Sequence, residues 1–237
     1  MAGHSKWANI KHKKAKEDAK RGKNFTKLIK EITITARSGG DVDGNPRLRT
    51  LVDKAKKMNM PADNITRAIK KGTGELPGVA YEHIMYEGHG PGGTAILVEV
   101  LTENKNRAVA EMRHIFSKYN GHIGEPGAVN WMFEKLGVIR AKAPNISEDE
   151  LFEKLIDHDI NDISIHDDIL TITTPMQSLN EVTEAVKSLD ISIDDSELEW
   201  IAKNPMTVET AHEEKAFNLL EKLEDNDDVQ NVYTNLA

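Results

Sequence analysis

The sequence predicts an α+β fold in which an N-terminal helical bundle precedes two α+β domains, the last of them ferredoxin-like and inserted in the middle one. Three observations support this prediction. Three short segments with helical spacing of apolar residues come early in the chain. Residues 134–206 then have the complete element order β-α-β-β-α-β, which is typical of ferredoxin-like domains. The C-terminal end supplies one helix and one strand, which are too few to form a stable domain alone.

Three amphipathic helices make up the predicted bundle. The first begins at Asn24 and stops at the glycine pair 39–40. The second has Asn45 as N-cap and Pro46 at its first helical position, a favoured combination. The third follows a proline and ends at Gly72, because glycine readily adopts the backbone angles that end a helix.

A glycine-rich segment at 88–93 (GHGPGG) joins a predicted strand at 82–87 to an apolar strand at 94–101. The segment resembles a phosphate cradle, but such a site needs a helix N-terminus directly after the glycines. A strand follows instead. We therefore interpret the segment as a tight connection between strands, with ligand contact as the alternative.

A second glycine-rich loop, 121–127 (GHIGEPG), follows a helix that Asn104 caps, and it leads to a third predicted strand at 129–133. Three glycines and a proline exceed what a helix-to-strand turn requires, and loops often carry function. The loop is therefore a candidate contact site for RNA, DNA or the ribosome; the alternative is a bulge or a turn with special backbone angles. The candidate contact residues are Arg107, Arg113, Gly124, Glu125, Pro126 and Gly127.

The ferredoxin-like unit has elements that can be placed individually. In order, they are a strand at 138–142, a helix with the capping box Ser147-x-x-Glu150, strands at 162–166 and 169–174, a helix with the capping box Ser178-x-x-Glu181, and a strand ending at Ala202. The middle block lacks an element to cover its sheet, so the C-terminal helix and strand are expected to return and complete it. We expect domains at 1–78, at 79–133 plus 207–237, and at 134–206.

Positive charge is concentrated at one end of the chain. Residues 1–72 hold 19 Lys or Arg and 7 Asp or Glu, a formal charge of +12. Residues 73–237 hold 12 and 32, a charge of −20. Such asymmetry predicts a polyanionic partner for the basic end. We expect nucleic acid: either DNA, or ribosomal or transfer RNA on the ribosome.

The basic end contains the candidate binding residues. Lysine and arginine release counterions when they neutralise phosphates, and an aromatic ring can stack on an unpaired base. The alternative is a solvated charged arm, with Trp7 docked on the bundle. The candidates are Lys6, Trp7, Lys11, Lys13, Lys14, Lys16, Lys20, Arg21, Lys23, Lys27, Arg47, Lys54, Lys56, Lys57, Arg67, Lys70 and Lys71.

Several classes of function are disfavoured. The absence of cysteine removes disulfides, thiolate catalysis and cysteine-based metal sites. The His212-Glu213-Glu214 stretch lacks the second histidine of a zinc-protease helix, and no nucleophile has a recognisable base. We expect no catalytic residues, metal, cofactor or small-molecule substrate. Without a long apolar run or a secretory signal, we expect no membrane partner and a cytoplasmic location.

Three long stretches of the chain resemble the YebC/PmpR family. They are MAGHSKWANIKHKKAKEDAKRGKNFTKLIKEI at the start, YEGHGPGGTAILVE at 86–99 and NRAVAEMRHIFSKYNGHIGEPGAVNWMF at 106–133. The family is known as one of probable transcriptional regulators, and it includes the mitochondrial translational activator of cytochrome c oxidase subunit I. From about residue 140 onward, only the element order supports the resemblance.

The resemblance implies three domains and a nucleic-acid-binding protein without enzymatic activity. Family members have been described both as DNA-binding regulators and as factors that assist ribosomes on proline-rich stretches. Both functions therefore stay open for this chain: a transcriptional regulator that binds DNA through the basic end, and a translation factor that binds RNA through it.

Overall fold

The structure is a computed structural model that describes residue 7 and residues 21–143, 146–166 and 168–237. Among these residues the helices are α1 (Arg21–Thr35), α2 (Pro46–Lys57), α3 (Ala62–Thr73), α4 (Lys105–Lys118), α5 (Glu148–Lys154), α6 (Leu179–Ser188) and α7 (Thr210–Glu224). The strands are β1 (Glu82–His89), β2 (Ala95–Thr102), β3 (His122–Ile123), β4 (Phe133–Lys142), β5 (Asp162–His166), β6 (Ile169–Thr174), β7 (Ile193–Ala202) and β8 (Val229–Thr234). They form two four-stranded sheets, so the predicted α+β class is confirmed.

Contacts divide the described residues into two compact units. The first combines residues 21–129 with 208–232, and so contains the bundle, the sheet around β1 and the returning helix α7. The second contains the described part of 130–207, with 233–237 and Trp7. The finer division of the chain into three domains stays a prediction.

The bundle forms as its capping residues predict. The Asn45 side chain accepts a hydrogen bond from the Leu48 backbone N–H, and Pro46 occupies the first helical position of α2. Asn104 caps α4 in the same way, by accepting from Arg107. Apolar side chains of the bundle form one buried cluster around Ile32 and Leu48.

The predicted end of α3 at Gly72 is wrong, because it comes one residue too early. The helix continues to Thr73, and Gly74 ends it with a left-handed φ of 84°. Gly72 serves packing instead: a Cβ there would lie 2.3 Å from the carbonyl oxygen of Thr33 on α1. The glycine therefore allows α1 and α3 to approach closely.

We expect the substitution Gly72→Ala to destabilise the bundle by about 1–3 kcal/mol, because the added methyl group must push two helix backbones apart. Urea unfolding followed by circular dichroism measures this free energy. The control is Gly22→Ala in α1, where a Cβ meets nothing within 4 Å. That variant should be as stable as the parent or slightly more stable, since alanine favours helix. Equal stability of both variants would contradict the packing role of Gly72.

The predicted third strand at 129–133 is wrong. Besides β2, the strand β1 pairs with the two-residue strand β3, in which His122 lies opposite His89 and Ile123 opposite Gly88. Residues 130–132 form a short 3₁₀ turn in which Trp131 is 66% exposed. The apparent alternation arose because Val129 is buried in the loop and Phe133 already belongs to β4 of the other sheet.

The second sheet has the ferredoxin-like arrangement. Its strand order is β5-β6-β4-β7, with every neighbouring pair antiparallel, and the helices α5 and α6 follow β4 and β6 in the chain. Both hairpin strands β5 and β6 have the predicted bounds. The capping box at Ser147 and Glu150 is confirmed.

The second predicted capping box, at Ser178, is wrong. Ser178 ends a 3₁₀ turn and makes no capping bond. Its hydroxyl lies 3.4 Å from a carboxylate oxygen of Asp159 instead.

The C-terminal tail, residues 207–237, completes the first sheet, since β8 lies beside β2 as the element count predicted. No helix within the described ranges is both long and apolar enough to cross a bilayer.

Candidate nucleic-acid interface

The helices α2 and α3 present a group of exposed cations, which we call the bundle cations. They are Arg47, Lys57, Arg67, Lys70 and Lys71. Among the residues that the structure describes, none of the five has a carboxylate partner. Lys56 is also exposed but lies 3.8 Å from Asp53, and Lys54 is half-buried. The bundle cations are therefore available to an anionic partner.

Lysines on α1 lie against the tail of the chain. Lys23, Lys27 and Lys30 share one face of the helix and form ion pairs of 3.5, 3.3 and 2.7 Å with Asp225, Glu224 and Asp228. Each ammonium group also donates a hydrogen bond to a main-chain carbonyl at the end of α7 or just after it. Lys23 and Lys27 are predicted to bind nucleic acid, but here they neutralise acidic residues and the carboxyl end of a helix dipole.

Asp228 is the centre of a buried polar network. Its carboxylate accepts hydrogen bonds from Lys30 at 2.7 Å, Arg107 at 2.7 Å and the Thr102 hydroxyl at 2.9 Å. Burial alone would raise the pKa of Asp228, but the hydrogen bonds from Lys30, Arg107 and Thr102 outweigh it and hold the pKa below its ordinary value. The network ties α1, β2, α4 and the tail together.

Arg107, a predicted contact residue, forms ion pairs with carboxylates of the protein itself. Besides Asp228, it lies 3.8 Å from Glu103 and 3.7 Å from Glu111. The hydrogen bond and charge of Asp228 raise the pKa of the guanidinium. With three carboxylates around it, this side chain serves the fold. Arg113 is exposed on α4, and its charge partly offsets the rise that burial causes in the pKa of Tyr86.

The loop 121–127 is held in place by one acidic residue on β1. The buried carboxylate of Glu87 accepts hydrogen bonds from the backbone N–H groups of Gly127 at 2.7 Å and Val129 at 2.8 Å. Its main-chain carbonyl accepts a third from Gly124. Glu125 and Pro126 are thereby held exposed on a fixed loop.

Other candidates fall into two groups. Trp7 is 5% exposed, so its ring is covered by protein and is not presented for base stacking. The candidates Lys6, Lys11, Lys13, Lys14, Lys16 and Lys20, and the side chain of Arg21, lie outside the described residues.

Sequence reasoning missed Lys30, Glu87 and Asp228. The first and last carry a signal, because lysines at 23, 27 and 30 share one helix face and a tail with four acids at 224–228 can meet them. Glu87 carries no such signal in the sequence, because its role depends on a loop 40 residues later in the chain.

Two family models match the chain. One, described as the TACO1/YebC protein N-terminal domain, matches residues 5–75, and the other, the TACO1/YebC second and third domain, matches residues 81–236. The chain belongs to the TACO1/YebC family. In this TACO1/YebC chain the first match ends just after α3 and the second begins next to β1.

Relatives of this TACO1/YebC chain match over its full length. A "probable transcriptional regulatory protein" of Desulfosudis oleivorans is 52% identical and covers 100% of this chain and 97% of its own. A protein of the same name from Geotalea uraniireducens is 50% identical over 99% of this chain and 95% of its own. The crystal structure of the conserved hypothetical protein Aq1575 from Aquifex aeolicus has a TM-score of 0.88 and 43% identity, and the alignment covers 98% of this chain and 97% of that one.

Proposed function

We propose that this protein is a regulator that binds nucleic acid through its basic N-terminal end, and that DNA is the target through which it regulates transcription. The observation that carries the proposal is the set of bundle cations on α2 and α3, which are exposed and have no carboxylate partner among the described residues. The names of the relatives, which call them probable transcriptional regulators, point the same way.

The contacts of α1 narrow the interface within the basic end. Lys23 and Lys27 are engaged by the tail, so they contribute little to phosphate binding. The bundle cations and the arm at 4–22 are left, and the arm carries seven Lys or Arg and two acids. Such an interface neutralises phosphates without reading bases, so affinity should depend strongly on salt.

A second candidate function is that of a translation factor that binds ribosomal or transfer RNA. The charge of residues 134–206 favours it, because these residues hold 6 Lys or Arg and 17 Asp or Glu. Negative charge of this size repels a phosphate backbone, whereas a ribosome offers basic proteins beside its RNA. Assistance on proline-rich stretches would be the corresponding activity.

The test measures both partners. Fluorescence anisotropy with a DNA duplex should give a log–log salt slope of about −5 if about six phosphates are neutralised, and a structured RNA is titrated in parallel. Crosslinking in cells, followed by sequencing of the recovered nucleic acid, then identifies the target. Recovery of promoter DNA supports the regulator, and recovery of ribosomal or transfer RNA supports the translation factor. A flat salt response with both probes would overturn the proposed interface.

A further inference from the structure

A cleft of about 420 Å³ lies beside the glycine-rich connection between β1 and β2, and none of the bundle cations lines it. All of its lining residues belong to the first compact unit. They are His89, Gly90, Pro91, Gly92, Gly93, Asn120, His122, His212 and Lys215. The volume lies within the range typical of pockets that bind small ligands or groups.

The four cationic or potentially cationic side chains come from three elements. His89 and His122 are paired across β1 and β3, with ring centroids 5.2 Å apart. His212 and Lys215 are one turn apart near the start of α7. Three imidazoles and an ammonium group therefore converge on one space from residues that are distant in sequence.

The glycine-rich connection is fitted closely to the start of α7. Gly92 and Gly93 have φ angles of 73° and 78°, in the left-handed region that favours glycine. A Cβ at Gly92 would also lie 2.8 Å from a methyl carbon of Val208. The Gly90 N–H donates to the Thr94 carbonyl at 2.8 Å, which closes the loop. The backbone beside the cleft is thus fixed before any ligand arrives.

The cleft differs in charge from the rest of residues 73–237. The lining contains no Asp or Glu, although residues 73–237 carry 32 of them. Two other histidines in the described ranges pair with carboxylates: His83 with Glu99 at 2.6 Å and His158 with Glu181 at 2.9 Å. Lys215, in contrast, has no carboxylate partner among the residues that the structure describes.

We propose that this cleft binds a phosphate group. Imidazole N–H, ammonium and the Asn120 amide all donate hydrogen bonds, and phosphate oxygens accept several at once. A metal ion fits poorly, because no group of three metal-ligating side chains with suitable geometry occurs in the described residues. The phosphate belongs either to a nucleic acid or to a small phosphate compound, and the chemistry of recognition is the same for both.

The test uses the full chain with inorganic phosphate as the probe. Phosphate should shift the imidazole NMR signals of His89, His122 and His212 in a saturable manner. Lys215→Gln should weaken this binding about fivefold, because one charge-assisted hydrogen bond is lost. The control is Lys222→Gln on the same helix, which is outside the lining and should bind phosphate as the parent does. Equal phosphate affinity of Lys215→Gln and the parent, or an absence of histidine shifts, would overturn the proposal.

Two further probes identify the source of the phosphate. If the cleft binds the end of a nucleic acid, a short RNA with a 5′-phosphate should compete with inorganic phosphate more strongly than the same RNA without it. Equal competition by both RNAs indicates a backbone phosphate, and no competition by either indicates a small compound. Lys215→Gln leaves the bundle cations intact, so failure at the cleft and failure of the proposed function give different results.

Discussion

Replacement of Asp228 by alanine is expected to lower the free energy of unfolding by about 3–5 kcal/mol, the largest effect of any single substitution considered. The carboxylate is 8% exposed and its partner Lys30 is 9% exposed. Removal of one partner from such a pair leaves the other charge buried without compensation. Thr102 would also lose its acceptor in the network. Urea unfolding at neutral pH measures the change.

The matched control is Asp53→Ala, which removes a carboxylate 3.8 Å from Lys56. Both of those side chains are more than half exposed, so the change should be at most about 0.5 kcal/mol. A similar small change for Asp228→Ala would mean that the tail does not hold α1 in place.

The same network predicts how stability depends on pH. The folded-state pKa of Asp228 is lowered, so its contribution is present above the ordinary aspartate pKa of about 3.9 and is lost as the pH falls through the folded value. Asp228→Asn removes this titration. The stability gap between parent and Asp228→Asn should therefore be constant from pH 7 to about pH 5 and narrow below about pH 4. A gap that stays constant to pH 3 would be inconsistent with the lowered pKa.

Local signals predicted much of the fold. The Asn45 cap, the hairpin of β5 and β6, and the apolar face of α7 follow from residues within a few positions of one another. The prediction that the tail returns to the first sheet needed only a count of elements. These features could be predicted because their stabilising contacts are either local or demanded by an uncovered apolar face.

The errors share a physical origin in contacts between distant residues. Gly72 was interpreted as a helix end because glycine favours that role, but the close approach of Thr33 decides its function. The strand at 129–133 was predicted from an alternation that spans two sheets. The binding roles of Lys23 and Lys27 stay predictions; net charge, on which they rest, does not indicate that acidic residues 197 or more positions later pair with these lysines. The net charge of a sequence region indicates whether it tends to bind anions, and packing decides which of its cationic side chains remain unpaired.

Neutralisation of three bundle cations is expected to have the largest effect on nucleic-acid binding. In the triple variant Arg67→Gln, Lys70→Gln and Lys71→Gln, three exposed residues of α3 lose their charge without a change in the buried face. Each phosphate contact contributes roughly one unit of salt slope, so affinity at moderate salt should fall by about 100-fold or more. Circular dichroism of the variant checks that α3 remains helical.

A second triple variant controls for net charge. Lys105→Gln, Lys118→Gln and Lys142→Gln also remove three positive charges from exposed positions, but outside the bundle. Its overall charge equals that of the α3 variant, so long-range repulsion of nucleic acid increases by a similar amount in both. Any difference in affinity between the two variants therefore reports on contact at α3.

The salt dependence of duplex binding by these two variants tests the central claim most directly. Anisotropy titrations between about 50 and 200 mM salt should give a slope reduced by about three units for the α3 variant and nearly the parent slope for the control. Identical slopes for the two triple variants would contradict the assignment of phosphate contacts to the bundle cations of α3.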